Sequence, residues 1–174
     1  MNEEFIYFTV EDIDWLISQF KTPLEQFFWT ANVFKFPLSK EIFINHLSYA
    51  NKQNSVRYCF KYLIDGKLVG YCELNNIDNI NNSATISRVI IDKNLRNKGY
   101  AFKMLENLIR FAINEKKFFR LELLVLEDNI SAINCYRKLN FRIDGVLRAS
   151  RYFEEKYYNA IIMSLLSNEI TETL

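Results

Sequence analysis

Arg96-Asn97-Lys98-Gly99-Tyr100-Ala101 is the stretch whose residue types and spacing most directly imply chemistry. It lies between the apolar run Arg88-Val89-Ile90-Ile91 and an amphipathic run from Phe102 to Ile113, so it reads as a turn leading from a strand into a helix. Such a turn presents N–H groups that no helical carbonyl accepts, at the positive end of the helix dipole, and these bind phosphate oxygens. Gly99 removes the Cβ that would keep a ligand away from the backbone. Arg96, Lys98, Lys103 and Lys93 surround the turn against Asp92 alone, a charge balance that suits a pyrophosphate.

A second group of polar residues follows one strand later. It comprises Asn129-Ile130-Ser131-Ala132-Ile133-Asn134-Cys135-Tyr136 and then Lys138-Leu139-Asn140-Phe141. Arg-x-x-Gly-x-Ala after a strand resembles the acyl-CoA signature of the Gcn5-related N-acetyltransferases (GNAT). The second segment is similar to the same family's Asn-x-x-Ala-x-x-x-Tyr and Lys-Leu-Gly-Phe, at the family's distance from the first. The resemblance covers nearly the whole chain, most clearly from about Val56. Gly70-Tyr71-Cys72-Glu73-Leu74, Ala84 to Val89, Gly145 to Arg148 and Tyr158 to Met163 look like the branch that acetylates ribosomal-protein N-termini. Two positions depart from the pattern. Ala101 replaces the commonest final Gly and adds one methyl near the phosphates. Asn140 stands where the family has Gly in a left-handed conformation, which Asn also adopts.

The resemblance implies an acetyl-CoA-dependent N-acetyltransferase that moves acetyl to a primary amine by direct attack on the thioester. The amine would belong to a protein N-terminus or a small molecule, and a homodimer is an open alternative. Arg96, Asn97, Lys98, Gly99, Tyr100 and Ala101 would hold the pyrophosphate. The main chain of Val89, Ile90 and Ile91 would bind the pantetheine amides and the thioester oxygen. Asn129 would bond the pantetheine arm, with Asn134 reaching the cofactor from the same helix. Tyr136 would supply a proton to the departing thiolate. The general base is less direct: where some members carry a glutamate, five residues before Asn129, this chain has Leu124. Glu73, Glu122 and Ser87 are the alternatives, and Glu73 is preferred because its strand should border the cleft. Leu124 also motivates a rival reading, a non-catalytic acyl-CoA-binding or regulatory module, against which Tyr136 argues. His46, the only histidine, shows no Cys or carboxylate at ligand spacing in sequence, so no metal is expected.

These residues need a scaffold, and the sequence supplies its elements. Phe5 to Thr9 reads as a strand, and Thr9-Val10-Glu11-Asp12 as a capping box opening a helix through Phe20. After Pro23 comes an aromatic stretch with Phe27, Phe28, Trp29 and Phe34, more often core than a wall for a cationic amine. A further helix follows Ser39. Val56 to Ile64 and Lys67 to Leu74 are strands joined by Asp65-Gly66, a two-residue hairpin turn. Asn75 to Asn82 reads as a loop and Ala84 to Ile91 as a strand. The helix from Gly99 to about Lys116 places Phe102, Leu105, Ile109, Ala112 and Ile113 on one face. Phe118 to Leu126 should run parallel to Ala84–Ile91 through a right-handed crossover. A helix from Asn129 to Leu139 and strands Arg142 to Phe153 and Tyr157 to Leu166 complete the chain. The expected fold is α/β (α+β): a mixed, mostly antiparallel sheet of about seven strands flanked by helices and splayed at the acetyl-CoA site, in one domain over 1–174.

Composition narrows the function classes. A formal charge of +1 recruits neither nucleic acid nor an anionic membrane, so a positive site must be local. Fifteen Phe and ten Tyr imply an aromatic core or cleft. Cys59, Cys72 and Cys135 lie in apolar contexts without CxxC pairing and read as reduced thiols. The acidic Met1-Asn2-Glu3-Glu4 start lacks a basic leader, which points to the cytoplasm.

Overall fold

The computed structural model describes residues 2–52 and 55–170. Seven strands form one sheet: β1 (Glu3–Tyr7), β2 (Tyr58–Ile64), β3 (Lys67–Asp78), β4 (Ser83–Ile91), β5 (Arg120–Leu126), β6 (Arg142–Phe153) and β7 (Lys156–Leu166). Their order is β1-β2-β3-β4-β5-β7-β6. Only β4 and β5 pair in parallel; every other neighbour is antiparallel. This is the expected mixed sheet. The helices are α1 (Ile13–Ser18), α2 (Pro23–Thr30), α3 (Lys40–Ser48), α4 (Tyr100–Arg110) and α5 (Ile130–Lys138).

Local chemistry accounts for the boundaries. Asp65 and Gly66 take φ 48° and 74°, the two left-handed positions of the β2–β3 hairpin. Thr22 and Glu25 cap α2 reciprocally, the Thr22 hydroxyl accepting from Glu25 N (3.2 Å) and the carboxylate from Thr22 N (3.2 Å), with Pro23 at the first helical position. The Thr9–Asp12 box also forms, with Thr9 N donating to Asp12 Oδ2 at 2.9 Å. It opens a short 3₁₀ turn before α1, which ends at Ser18 rather than Phe20. The Asn-rich segment departs further from its sequence reading: Asn75 to Asp78 extend β3, with a register shift between Asn75 and Asp78. Pairing to β4 supplies the partners that the polar side chains give no hint of.

The sheet carries helices on both faces. On one, α4 buries Met104, Leu105, Leu108 and Ile109 against Cys72, Leu74, Ile86 and Leu121. Phe102, at the start of the helix, is only half-buried because it borders the cleft beside α4, and Ile113 is half-buried where the helix passes into a π turn over Phe111–Glu115. On the other, α1 and α3 pack Ile13, Leu16, Phe43 and Leu47 against Cys59, Tyr71 and Ile90. The alternation of Tyr71 and Cys72 to opposite faces is the strand period itself. Phe27 stacks on Phe153 at 4.5 Å and is buried, so this part of the aromatic stretch is core.

Gly70 faces Ile91 across β3 and β4, and a Cβ there would lie 2.6 Å from Ile91 Cδ1, 2.8 Å from Met104 Sδ and 3.1 Å from the Ile90 carbonyl oxygen. Gly70→Ala is expected to destabilise the fold by about 1–3 kcal/mol through overpacking. Urea unfolding at neutral pH measures this, and an unchanged midpoint would contradict the packing described.

Candidate active site

β4 and β5 stay paired for four residues, from Ser83↔Arg120 to Ile86↔Leu123, and then separate. The outer edge of each remains bonded, β4 to β3 through Ile91 and β5 to β7 through Leu126. The gap between them opens a cleft of about 1200 Å³. Its walls are β4 from Ser87 to Ile91, β5 from Leu124 to Leu126, the start of α4, one face of α5, and the α2 segment carrying Phe28 and Trp29.

Most of the expected site residues meet in this cleft. Val89, Ile90, Ile91, Arg96, Asn97, Gly99, Tyr100, Ala101, Asn129, Asn134 and Tyr136 all line it; Lys98 and Glu73 do not. At the turn, Asp92 Oδ1 accepts from Asn94 N (2.9 Å), and Arg96 Nε donates to the Ile91 carbonyl (3.2 Å), folding the guanidinium back over the end of β4. Asn97 and Gly99 are left-handed at φ 62° and 80°, a conformation that suits Asn and Gly. Among the described residues no side chain caps α4 and nothing lies within 4 Å of a Cβ placed on Gly99, so the helix N-terminus faces open space. These features fit an anionic ligand.

On α5, the Asn129 side chain accepts from Ala132 N (3.3 Å) and caps the helix. Asn140 takes φ 66° after it, and Phe141 N bonds back to the Tyr136 carbonyl (3.0 Å), so Asn replaces Gly without loss of the cap. Tyr136 is buried and its ring meets Phe141 at 5.9 Å. Among the described residues its hydroxyl has no hydrogen-bond partner. Burial pushes that phenol above its ordinary pKa, which keeps it a proton donor at neutral pH.

Glu73 stands elsewhere than expected. It is fully buried beneath α3. Its Oε2 accepts from Arg88 Nη1 (2.7 Å), and its Oε1 is bonded by His46 Nε2 (3.0 Å) and by the Tyr71 hydroxyl. Burial alone would raise its pKa, but the His46 bond, the Arg88 charge and the Tyr71 bond outweigh it and hold the carboxyl below the usual carboxylate range. A carboxylate so engaged, away from the cleft, is poorly placed to take a proton from an acceptor amine. Leu124 lines the cleft where a base was sought, and Glu122 instead accepts from Thr85 Oγ1 (3.4 Å) outside it.

His46 is likewise an interior residue. Folding brings its ring nitrogens within 4.8 Å of Cys59 and Glu73 ligand atoms, a cluster its sequence neighbours do not reveal. The cation position there is taken by guanidinium groups: Arg57 Nη1 lies 2.9 Å from His46 Nε2, and Arg88 holds Glu73. Burial also pushes the Cys59 thiol above its ordinary pKa. Sequence reasoning misses this network, although Glu73 two residues from Tyr71 on a buried strand face is a signal, since a buried carboxylate needs cations.

Residues 19–141 match the model of the acetyltransferase (GNAT) family. The chain belongs to that family. By sequence it is 29% identical over 105 residues to the spermidine N(1)-acetyltransferase of Escherichia coli (strain K12), covering 60% of this chain and 56% of that protein. It is 34% identical over 88 residues to the probable spermine N(1)-acetyltransferase of Bacillus subtilis subsp. natto (strain BEST195), covering 48% and 58%. The matches thus span a little over half the length of these relatives. By structure it resembles the spermidine N-acetyltransferase from Vibrio cholerae in complex with CoA and spermine, with a TM-score of 0.83 over 96% of both chains at 17% identity, a likeness of fold. These relatives are named for polyamines and not for the ribosomal-protein N-termini expected from the sequence. The shared signature carries the family and does not fix the branch. Among the described residues no helix is long and apolar enough to cross a membrane.

Because the Glu73 pKa is depressed, its stabilising ionisation is fully present above the unfolded carboxyl pKa and is lost as pH falls through the folded one. Glu73→Gln leaves Arg88 buried and unpaired and is expected to cost about 3–5 kcal/mol at pH 7. The difference from the parent should shrink in acid, where the parent's carboxyl is protonated too. Urea titrations at neutral and acid pH test both parts; a pH-independent difference would contradict the depressed ionisation.

Proposed function

We propose that this protein is an acetyl-CoA-dependent N-acetyltransferase acting on a primary amine by direct attack on the thioester, within one domain over 1–174. The observation that carries the reading is the cleft itself: the uncapped start of α4 at one end and the unpartnered Tyr136 hydroxyl between the parted strands. Acetyl-CoA supplies the activated acyl group. The α4 N-terminus with Arg96 holds the pyrophosphate. Backbone groups of Val89, Ile90 and Ile91 take the pantetheine amides and the thioester oxygen. Asn129 and Asn134 border the arm, and Tyr136 protonates the leaving thiolate. Asn75 also lines the cleft: among the described residues its buried Oδ1 has no partner, and its Nδ2 donates to Ser87 Oγ at 2.7 Å. The amine's proton passes to water in the open cleft, since neither Leu124 nor Glu73 takes it there.

The names of the sequence relatives and of the structural neighbour support a polyamine, spermidine or spermine, as the acceptor class. Leu124 in place of a carboxylate favours a second reading, an acyl-CoA-binding module without turnover. Calorimetry with acetyl-CoA and a thiol-release assay over spermidine, spermine, amino acids and N-terminal peptides separates the two. Thiol release with a polyamine is the expected result. Binding without release from any amine would favour the module, and no binding at high micromolar acetyl-CoA would remove both readings.

Tyr136→Phe keeps the ring contact with Phe141 and removes the proton donor. Turnover is expected to fall by about 10²–10⁴-fold with little change in acetyl-CoA affinity. Steady-state kinetics and calorimetry on the variant measure this, and unchanged turnover would make Tyr136 a packing residue.

A further inference from the structure

β4 bends at one non-glycine residue. Arg88 takes φ 49°, and the β3–β4 register passes from Glu73↔Ser87 to Tyr71↔Ile90, so Cys72 alone faces both Arg88 and Val89. This is a bulge, which turns a strand and re-aims the residues beyond it. It begins two residues beyond Ile86, the last residue of β4 paired with β5. It therefore sets the direction in which Val89 to Ile91 run along the cleft. A left-handed residue other than glycine is strained and persists where its surroundings hold it.

The Arg88 side chain is the part that the surroundings hold. Nη1 lies 2.7 Å from Glu73 Oε2, and the guanidinium sits over the Phe34 ring at 5.2 Å. Glu73 is anchored from its other oxygen by His46 of α3 and Tyr71 of β3. Of these groups only Arg88 reaches the cleft wall. Stability is a weak reason to keep such a pair, because desolvating two charges offsets most of their attraction. The pair does fix the conformation of the residue at the bulge.

We propose that Glu73 is a positioning residue for acetyl transfer, holding the β4 bulge through Arg88 so that the main-chain groups of Val89 to Ile91 are aimed at the thioester. This rests on the acetyl-transfer reading above. It differs from a base role in where the loss should appear. A misaimed main-chain donor costs about 10²–10³-fold in kcat. A lost base would instead remove the acid limb of the pH–rate profile.

The test compares Glu73→Gln, Arg88→Met and the double variant with the parent, on the best amine from the screen. Each single variant is expected to lower kcat by about 10²-fold while the acetyl-CoA KM moves by less than about threefold, with the double variant no worse than either single one. Any acid limb of the parent's profile should survive in Glu73→Gln. The infrared carbonyl band of bound acetyl-CoA should lie closer to its solution position in the variants than in the parent. The double variant leaves no unpaired charge between the two sites and serves if a single variant fails to fold. A parent that binds and turns over acetyl-CoA, with folded variants matching its kcat and carbonyl band, would overturn the positioning role alone. So would loss of the acid limb in Glu73→Gln with parental rates in Arg88→Met. A parent that binds no acetyl-CoA would overturn this inference and the functional reading together.

Discussion

The parallel contact between β4 and β5 is the constraint on which the rest of the site depends. It runs from Ser83↔Arg120 to Ile86↔Leu123 and stops while both strands continue. Past that point each strand has one bonded edge and one edge facing the cleft. Backbone N–H and C=O groups are seldom left unpaired in an interior, so an edge of this kind calls for water or a ligand with amides of its own. The α4 N-terminus, the Tyr136 hydroxyl and Asn129 all border the same opening. One interruption of pairing thus brings together an anion site, a peptide-like edge and a proton donor from segments distant in sequence.

Ionisable groups near this opening divide into two kinds. Arg96 and Lys98 at the α4 turn are exposed, while Lys103 one turn on is paired with Glu3. Those around Glu73 are buried and bonded to one another, and none of Glu73, His46 and Arg57 touches the cleft. Under the proposed function, chemistry at the thioester falls to neutral groups, a phenol held protonated by burial and the main chain of a bent strand. Such groups act without first losing a tightly held ion pair.

How much could be read from the sequence depends on how local the cause is. Asp65-Gly66 and Asn140 reveal a left-handed backbone through residue type alone, and both adopt it. The turn from Arg96 to Ala101 and the helix after Asn129 are legible because a short motif contains each. The surroundings of Glu73 are not: its partners His46 and Arg88 come from two other elements, and a strand period says that a carboxylate is buried without saying which groups meet it. The bulge at Arg88 is hidden for the same reason, since arginine carries no preference for positive φ. The extension of β3 through Asn75 to Asp78 escapes because its strand state comes from pairing to β4 and not from side-chain pattern.

The shortness of the β4–β5 contact has a mechanical consequence. The sheet behaves as two plates, β1 to β4 and β5 to β7, stitched along a seam of four residue pairs and bridged by the α4 crossover. A molecule lodged beyond the last stitch grips both plates and acts as a rivet, so tension that would open the seam must first shear the occupant. Resistance to being pulled apart at that seam becomes a property of occupancy, while resistance within either plate stays a property of the chain.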